Sequence, residues 1–433
     1  METGSPVLTK LLERRPSETI RPGLSAIRRL LRTLGDPQRH LRTIHVAGTN
    51  GKGSVIAFLQ AILLAAGIPV ASFTSPHLHR FNERIRINGT PIADADLDPL
   101  LSETLVADPE EQTTFFELTT AAAFLHFSRL APFRSGAGIV LLETGLGGRL
   151  DATNVTMPML SIITALGIDH ADFLGPSLAG IAREKAGILK PGVPAVVDTA
   201  GAGTMRVVAG KARRLGVVTR FAGREYRYRT VSEPTVGAGS WRFMDPEGVM
   251  YLPAPALQGR HQYANAGLAV AGLRLLRTLG RLAVSDTAIR LGVARAQWPG
   301  RLECFPGDPP VWLDGAHNPD AVRALCTFLR SPLSGDAKQP TLLIFSVLNN
   351  KDGATMAAEL APLVEAVFLL PIGGSRARSS QELFDLWPES GRVMVCETAG
   401  QALEVARAAA RGCGRVVVTG SLLLVGEVRS LLC

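Results

Sequence analysis

The amino-acid sequence predicts an α/β protein built from two domains, on three observations. Short apolar runs bounded by turn residues alternate with helical periodicity, the signature of a mostly parallel sheet flanked by helices. The alternation changes character over residues 217–251, where polar and apolar residues alternate among aromatics and the turn signals Ser232-Glu233-Pro234 and Asp245-Pro246-Glu247-Gly248. It then restarts near Pro299. A chain of 433 residues, 46% apolar and 19% charged, holds material for two or three ordinary globular cores.

Thr43–Ala47 reads as the first strand and the apolar stretch 54–66 as the helix behind it. Residues 69–73, 138–142 and 159–165 read as further buried strands of the same sheet. The 217–251 stretch is expected to add short antiparallel strands at the domain's edge. Helical periodicity returns over 263–279, and the boundary is expected at 297–299, giving domains of residues 1–297 and 298–433. The second domain repeats the alternation, with strands at Val311–Leu313, 341–346, 366–370, 393–396 and 416–419 and helices at 320–329 and 400–411. Residues 201–203 are expected to form a flexible loop, and there is no internal repeat.

Composition excludes several classes. No apolar run approaches the roughly 20 residues that cross a bilayer. The first residues mix Lys10, Arg14 and Arg15 with Glu2, Glu13 and Glu18 and contain no apolar core, so neither a secretory signal nor an organellar presequence is expected. A cytoplasmic monomer is the expectation. Cys304, Cys326, Cys396, Cys413 and Cys433 show no C-x-x-C spacing, which argues against zinc or a disulfide framework. They read as small buried hydrophobes plus an exposed terminal thiol. The net charge of +8 suits anionic partners, but the basic residues are dispersed and match no nucleic-acid motif, so small anionic molecules fit better.

Chemistry first shows in Gly48-Thr49-Asn50-Gly51-Lys52-Gly53-Ser54, a glycine-rich turn between the first strand and its helix. Glycines let backbone N–H groups surround phosphate oxygens, and the helix start turns its positive end toward them. Lys52 supplies a point charge for the β- and γ-phosphates, and Ser54 a hydroxyl for Mg²⁺. Gly53 separates Lys52 from Ser54, so the spacing departs from G-x-x-x-x-G-K-[ST]. Glu143 follows the run 138–142, at the C-terminal edge of a buried strand where open α/β sheets bind ligands. By residue type alone it could equally cap a helix or pair with an arginine. Asn265 could likewise be a helix N-cap, and Phe116 plain core.

His45-Val46-Ala47-Gly48-Thr49-Asn50-Gly51-Lys52-Gly53-Ser54 resembles the ATP loop of bacterial folylpolyglutamate synthases and dihydrofolate synthases, relatives of the peptidoglycan Mur ligases. The resemblance runs from Arg21-Pro22-Gly23-Leu24 through Thr74-Ser75-Pro76-His77-Leu78, Phe81-Asn82-Glu83-Arg84-Ile85-Arg86 and Glu143-Thr144-Gly145-Leu146-Gly147-Gly148-Arg149-Leu150-Asp151-Ala152-Thr153-Asn154. It continues through Gly167-Ile168-Asp169-His170, Arg183-Glu184-Lys185-Ala186-Gly187-Ile188, Pro299-Gly300-Arg301-Leu302-Glu303, Asp314-Gly315-Ala316-His317-Asn318-Pro319 and Thr419-Gly420-Ser421-Leu422-Leu423. Nearly the whole chain is covered, in order. Two places depart from the usual pattern: the turn Ser346-Val347-Leu348-Asn349-Asn350-Lys351-Asp352 lacks its common glycine, and Leu423 stands where an aromatic is frequent.

The resemblance implies a P-loop ATPase-like N-terminal domain with a small antiparallel edge sheet and a Rossmann-like C-terminal domain. It assigns the ATP phosphates to Gly48, Thr49, Asn50, Gly51, Lys52, Gly53, Ser54 and Arg301, the ribose side to Asp314 and the adenine to Asn265. It assigns Mg²⁺ to Ser54, Ser75, Glu143, His170 and Lys185. An unmodified lysine would be repelled there and would otherwise read as a surface helix residue, so Lys185 is implied to be carbamylated. Arg84, Thr114, Phe116, Asp151 and Ala152 are implied for the folate, and His317 and Ser421 for glutamate. Lys52, Lys185, His170 and His317 are the implied catalytic groups, His317 as a base or as an orienting group.

The implied reaction is ATP-dependent addition of L-glutamate to dihydropteroate and to (tetrahydro)folates through an acyl phosphate, with closure of the two domains assembling the site. A folylpolyglutamate synthase of single function and another Mur-type ligase are alternatives, the latter disfavoured by Asp151-Ala152-Thr153-Asn154 and Arg183-Glu184-Lys185. A nucleotide switch that hydrolyses ATP without ligation would leave the second domain without a role.

Overall fold

The computed structural model describes residues 5–13, 23–198, 201–230, 240–331, 339–374, 376–388 and 392–433. The Arg21-Pro22 pair and the turn Ser232-Glu233-Pro234 lie outside the described residues. The chain forms two compact units. One comprises 1–166, 174–256 and 264–297, and the other comprises 167–173, 257–263 and 298–433.

In the first unit, runs of β-branched and aliphatic residues form β1 (Thr43–Ala47), β2 (Val70–Phe73), β3 (Ile85–Ile87), β4 (Thr90–Pro91), β5 (Ile139–Glu143), β6 (Leu160–Ile163), β7 (Ala195–Val197) and β8 (Thr219–Phe221). Their sheet order is β4-β3-β2-β5-β1-β6-β7-β8. From β2 through β8 the pairs are parallel, while β3 and β4 append antiparallel. Every residue of β1 and β5 is buried, including Thr43, His45 and Glu143, as central strands covered on both faces should be. Helices Ser25–Thr33, Asp94–Val106 and Phe115–Arg129 pack their apolar sides with β2 and β5 into one core. Helices Leu178–Lys185 and Ala202–Arg214 close a second core over β6 and β7.

A separate sheet follows, formed by β9 (Arg227–Thr230), β10 (Trp241–Asp245) and β11 (Gly248–Leu252), antiparallel in the order β11-β10-β9. The expected antiparallel stretch 217–251 is thus corrected at its start: β8 is parallel and completes the large sheet. The expected loop at 201–203 is corrected as well. Gly201, at φ +99°, precedes a helix that begins at Ala202, its glycine serving the left-handed turn into the helix.

The second unit carries β12 (Glu303–Phe305), β13 (Val311–Leu313), β14 (Thr341–Phe345), β15 (Ala366–Leu369), β16 (Arg392–Val395) and β17 (Arg415–Thr419), in the order β12-β13-β17-β14-β15-β16. Only β12 is antiparallel to its neighbour. Cys326 and Cys396 are buried, but Cys304 and Cys413 are exposed along with Cys433, so the expectation of a single exposed thiol is corrected. Among the described residues no helix is long and apolar enough to cross a membrane.

One buried charge cluster fixes the small sheet in the first unit. The Asp245 carboxylate, fully buried at the end of β10, accepts from Arg220 Nη1 at 2.6 Å and Arg274 Nη2 at 2.8 Å. Arg220 belongs to β8 and Arg274 to helix His261–Thr278, so one carboxylate ties three elements. Glu247 adds a second negative charge 3.6 Å from Arg274 Nε. Removing one partner of a buried ion pair strands the others in low dielectric. Asp245→Ala is therefore expected to lower the unfolding free energy by about 3–5 kcal/mol, read from urea unfolding; a loss under about 1 kcal/mol, the range of a surface pair, would show the cluster to be dispensable.

Buried neutral histidines set the acid response of the same unit. Burial, aided by Lys190, holds His45 down at about 3, and burial with Arg84 holds His77 at about 4. The unfolded chain takes up protons near the usual histidine value while the folded chain does not. Stability is thus complete above about pH 6.5 and falls as pH drops toward 4, with His45 contributing up to about 1.4 kcal/mol per pH unit. Urea midpoints at pH 7 and pH 5 measure this, and His45→Gln should flatten the profile.

Candidate active site

The loop after β1 is shaped by glycines that nothing else replaces. A Cβ on Gly48 would lie 1.7 Å from Thr164 Oγ1, and one on Gly51, which sits at φ +88°, would lie 2.4 Å from Asn265 Oδ1. Gly51 is the N-cap of helix Lys52–Ala65, so the helix starts two residues earlier than expected. The N–H groups of Thr49 and Asn50 both donate to the Ala165 carbonyl, at 3.0 and 3.3 Å. They anchor the loop, which leaves the helix's first turn to face an anion. Asn265, expected as either an adenine contact or an N-cap, lies inside helix His261–Thr278 and over this loop, so it is not the N-cap of its own helix.

Two lysines meet at one carbonyl. Lys52 Nζ donates to the Gly48 and Thr49 carbonyls, each at 3.2 Å, and Lys185 Nζ donates to Gly48 at 2.7 Å. Lys185 closes helix Leu178–Lys185 and is only 5% exposed, which corrects the surface reading. Glu143, the last residue of β5, places Oε1 4.0 Å from Lys52 Nζ and accepts the Ser75 N–H at 3.1 Å. Ser54 is buried in the helix's first turn. Among the described residues no three His, Cys, Asp or Glu side chains gather to hold a metal. Glu143, held against the Ser75 backbone, nevertheless suits a hard divalent ion such as Mg²⁺, which keeps waters and takes phosphate oxygens rather than a protein cage.

The residues expected to meet a folate split into ring surfaces and turn builders. Phe116 lies 5.8 Å, centroid to centroid, from Phe73, and its ring covers Gly145, where a Cβ would come within 2.6 Å. Arg84, 8% exposed, donates Nε–H to His77 Nδ1 at 2.9 Å, and its guanidinium stands 5.7 Å from the Phe81 ring and 5.3 Å from Phe115. Thr114 caps helix Phe115–Arg129 in a reciprocal box with Glu117. Asp151 accepts from the Gly145 and Leu146 N–H groups on one oxygen and from the Thr153 N–H and hydroxyl on the other. Ala152 begins the buried turn that follows.

In the second unit, Asp314 follows β13 and accepts the Leu302 and Ala316 N–H groups, each at 3.0 Å. Burial pushes its pKa up, while Arg301 and those two donors oppose the rise. Arg301 lies against Gly315, where a Cβ would sit 2.2 Å from Nη1. His317 Nδ1 donates to the Gly315 carbonyl at 2.7 Å, leaving Nε2 with its lone pair 3.6 Å from Asp169. Burial and then Lys351 hold this imidazole down at about 4. Ser421 caps helix Leu422–Leu432 through the Leu423 N–H. His170 adopts a left-handed φ of +53° beside Asp169, in the short segment 167–173 that packs within this unit.

Asp169 and Lys351 were given no role by the sequence reading, yet they form a buried ion pair that also takes the Asn318 amide. Lys351, followed by His170 and His317, pulls the Asp169 carboxyl well below the usual range against the opposing effect of burial. The available signal was the turn Ser346-Val347-Leu348-Asn349-Asn350-Lys351-Asp352, whose Lys351 lies 182 residues from Asp169 in sequence.

Residues 300–422 match the family described as Mur ligase, glutamate ligase domain. The dihydrofolate synthase/folylpolyglutamate synthase of Bacillus subtilis is 35% identical over 95% of each chain. The structure of Escherichia coli FolC in complex with DHPP and ADP superposes with a TM-score of 0.88 at 32% identity, covering 99% of this chain and 98% of that one. The Yersinia pestis bifunctional folylpolyglutamate synthase/dihydrofolate synthase complexed with AMPPNP and Mn ion gives a TM-score of 0.86 at 31% identity, over 99% and 98%. The chain belongs to the dihydrofolate synthase/folylpolyglutamate synthase family of Mur ligases.

Proposed function

We propose that this chain is an ATP-dependent, ADP-forming ligase that joins L-glutamate to dihydropteroate and to (tetrahydro)folates. The observation that carries the reading is the convergence of Lys52, Lys185 and Glu143 on the Gly48 loop, in a chain related over 95% of its length to a dihydrofolate synthase/folylpolyglutamate synthase. ATP, L-glutamate and the pterin acceptor are its small-molecule partners. A cytoplasmic monomer fits the same reading, with residues 1–297 serving ATP and folate and 298–433 the glutamate.

A carboxylate is a poor electrophile because hydroxide is a poor leaving group. Transfer of the ATP γ-phosphoryl group to the acceptor carboxylate releases ADP and gives an acyl phosphate. The glutamate amine then attacks the acyl carbon, phosphate departs, and the amine loses a proton as the amide forms. The barrier in the first step is electrostatic, since one anion must approach another. Lys52 at the helix start answers it, with the glycine N–H groups of the loop and with Arg301. Mg²⁺, held by Glu143, Ser54, Ser75 and His170, would screen the phosphate charge when bound.

Lys185 fits this chemistry as a carbamate. Carbamylation exchanges an ammonium for an anionic oxygen ligand and keeps one N–H, enough to preserve the bond to Gly48. In the glutamate region, an imidazole held near 4 is a weak proton acceptor at neutral pH. His317 therefore suits orientation of the amino acid, with Ser421 beside the same sheet edge. Phe116, Ala152, Arg84, Thr114 and the turn held by Asp151 form the folate surface. Asn265 and Asp314 serve adenine and ribose.

A panel offering dihydropteroate, tetrahydrofolate and methylenetetrahydrofolate separately, with ATP and radiolabelled glutamate, tests the function. Product from dihydropteroate and from at least one reduced folate is expected, and ATP turnover indifferent to glutamate would point to a switch. Lys52→Ala should lower turnover with every acceptor by at least about 10²–10³-fold; activity near wild type would contradict the loop assignment. For Lys185, native mass spectrometry should find one carbon dioxide equivalent on the protein, and Lys185→Ala should recover activity when short carboxylates are added. A bare ammonium, with no such recovery, argues against the carbamate.

A further inference from the structure

A buried polar chain runs from β1 to the turn beneath the folate surface. His45 and Thr153 are both 0% exposed, so neither can touch a ligand in the folded protein. His45 Nε2 and Thr153 Oγ1 lie 2.7 Å apart, and Thr153 Oγ1 lies 2.5 Å from Asp151 Oδ1. The hydroxyl owns one proton, and the carboxylate needs it. Thr153 must therefore donate to Asp151 and accept from His45, which fixes the proton of His45 on Nε2. Its Nδ1 has no hydrogen-bond partner among the described residues, consistent with a bare lone pair on a neutral ring.

The far end of the chain is the Asp151 carboxylate, whose lone-pair positions are filled by four protein donors. Two of these are the N–H groups of Gly145 and Leu146, and Gly145 is the floor on which the Phe116 ring rests. The carboxylate's orientation thus sets the height and tilt of that floor. We propose that His45 and Thr153 are positioning residues for the pterin acceptor, acting through Asp151 to hold the Gly145-Leu146 turn against Phe116. This inference rests on the folate reading of the Phe116 surface. His45 also sits in the strand that leads into the Gly48 loop, but its side chain points along this relay, so the effect falls on the acceptor and spares ATP and glutamate.

The test uses the full-length enzyme with steady-state kinetics for each substrate and a thermal melt for each variant. Thr153→Val is expected to raise KM for dihydropteroate severalfold, up to about tenfold where the whole cost of one buried hydrogen bond falls on acceptor binding, with KM for ATP and glutamate changed less than about twofold. Thr153→Ser, which restores the hydroxyl, should return KM to near wild type. Should Thr153→Val fail to fold, His45→Gln, which keeps an N–H near the Nε2 position, and His45→Leu, which does not, make the same comparison. Wild-type enzyme inactive on dihydropteroate overturns the functional reading and this proposal with it. An active wild type whose variants keep their dihydropteroate KM, lose all three KM values in parallel, or lose only kcat overturns the relay alone.

Discussion

Everything in the first unit's site depends on two lysine side chains converging on one peptide carbonyl. Lys52 and Lys185 both donate to Gly48 O. Two ammonium groups would repel there, by about 4 kcal/mol at about 4 Å and the effective dielectric of a protein surface, and Glu143, 4.0 Å from Lys52, offsets only part of that. The carbamate proposed for Lys185 turns this repulsion into attraction and leaves Lys52 to meet phosphate at the loop. Its backbone can approach so closely only because Gly48 has no Cβ to strike Thr164 and Gly51 accepts a left-handed φ.

Much of this was legible from residue order, because the signals are local. Thr43–Ala47 is a strand with the bounds that its apolar run predicts, and the glycines announce the turn after it. The helix start was misread by two residues, since Lys52 and Gly53 look like loop until Gly51 is known to be the cap. The parallel strand β8 was read as antiparallel because a three-residue strand at the sheet's end carries no periodicity of its own. Burial of Lys185 was legible only through the resemblance, which set it with Ser54 at the metal. A lysine at the end of a short helix usually faces water, and only the fold brings Gly48 to within 2.7 Å of its ammonium.

The second unit shows the limit more sharply. Asp169 and Lys351 stand far apart in sequence, and each looks ordinary where it stands. Segment 167–173 leaves the first unit's chain path to pack within the second, and this alone brings the pair together. Once formed, the pair acts on its surroundings. Lys351 helps burial keep His317 neutral, while Asp169 would draw a proton onto it, and the balance leaves a neutral ring with its lone pair directed at a carboxylate. That is a poor proton acceptor and a rigid hydrogen-bonding post. Chemistry read from residue type as general base becomes geometry.

The same distinction separates the buried carboxylates. Residue type makes Glu143, Asp151 and Asp314 look alike, each an acidic group in a motif at the ligand-binding edge of a sheet. Their partners differ in charge. Glu143 faces an ammonium and Asp314 a guanidinium, so each is balanced by a cation that an incoming phosphate would also engage. Asp151 has neutral donors only, and burial accordingly pushes its pKa up against their pull. A carboxylate whose lone pairs are spent on backbone N–H groups has little left for a ligand, yet it fixes those N–H groups in place. Where an acidic motif residue is held by neutral donors alone, its function lies in the loop it shapes, and the side chains behind it, here Thr153 and His45, inherit that function.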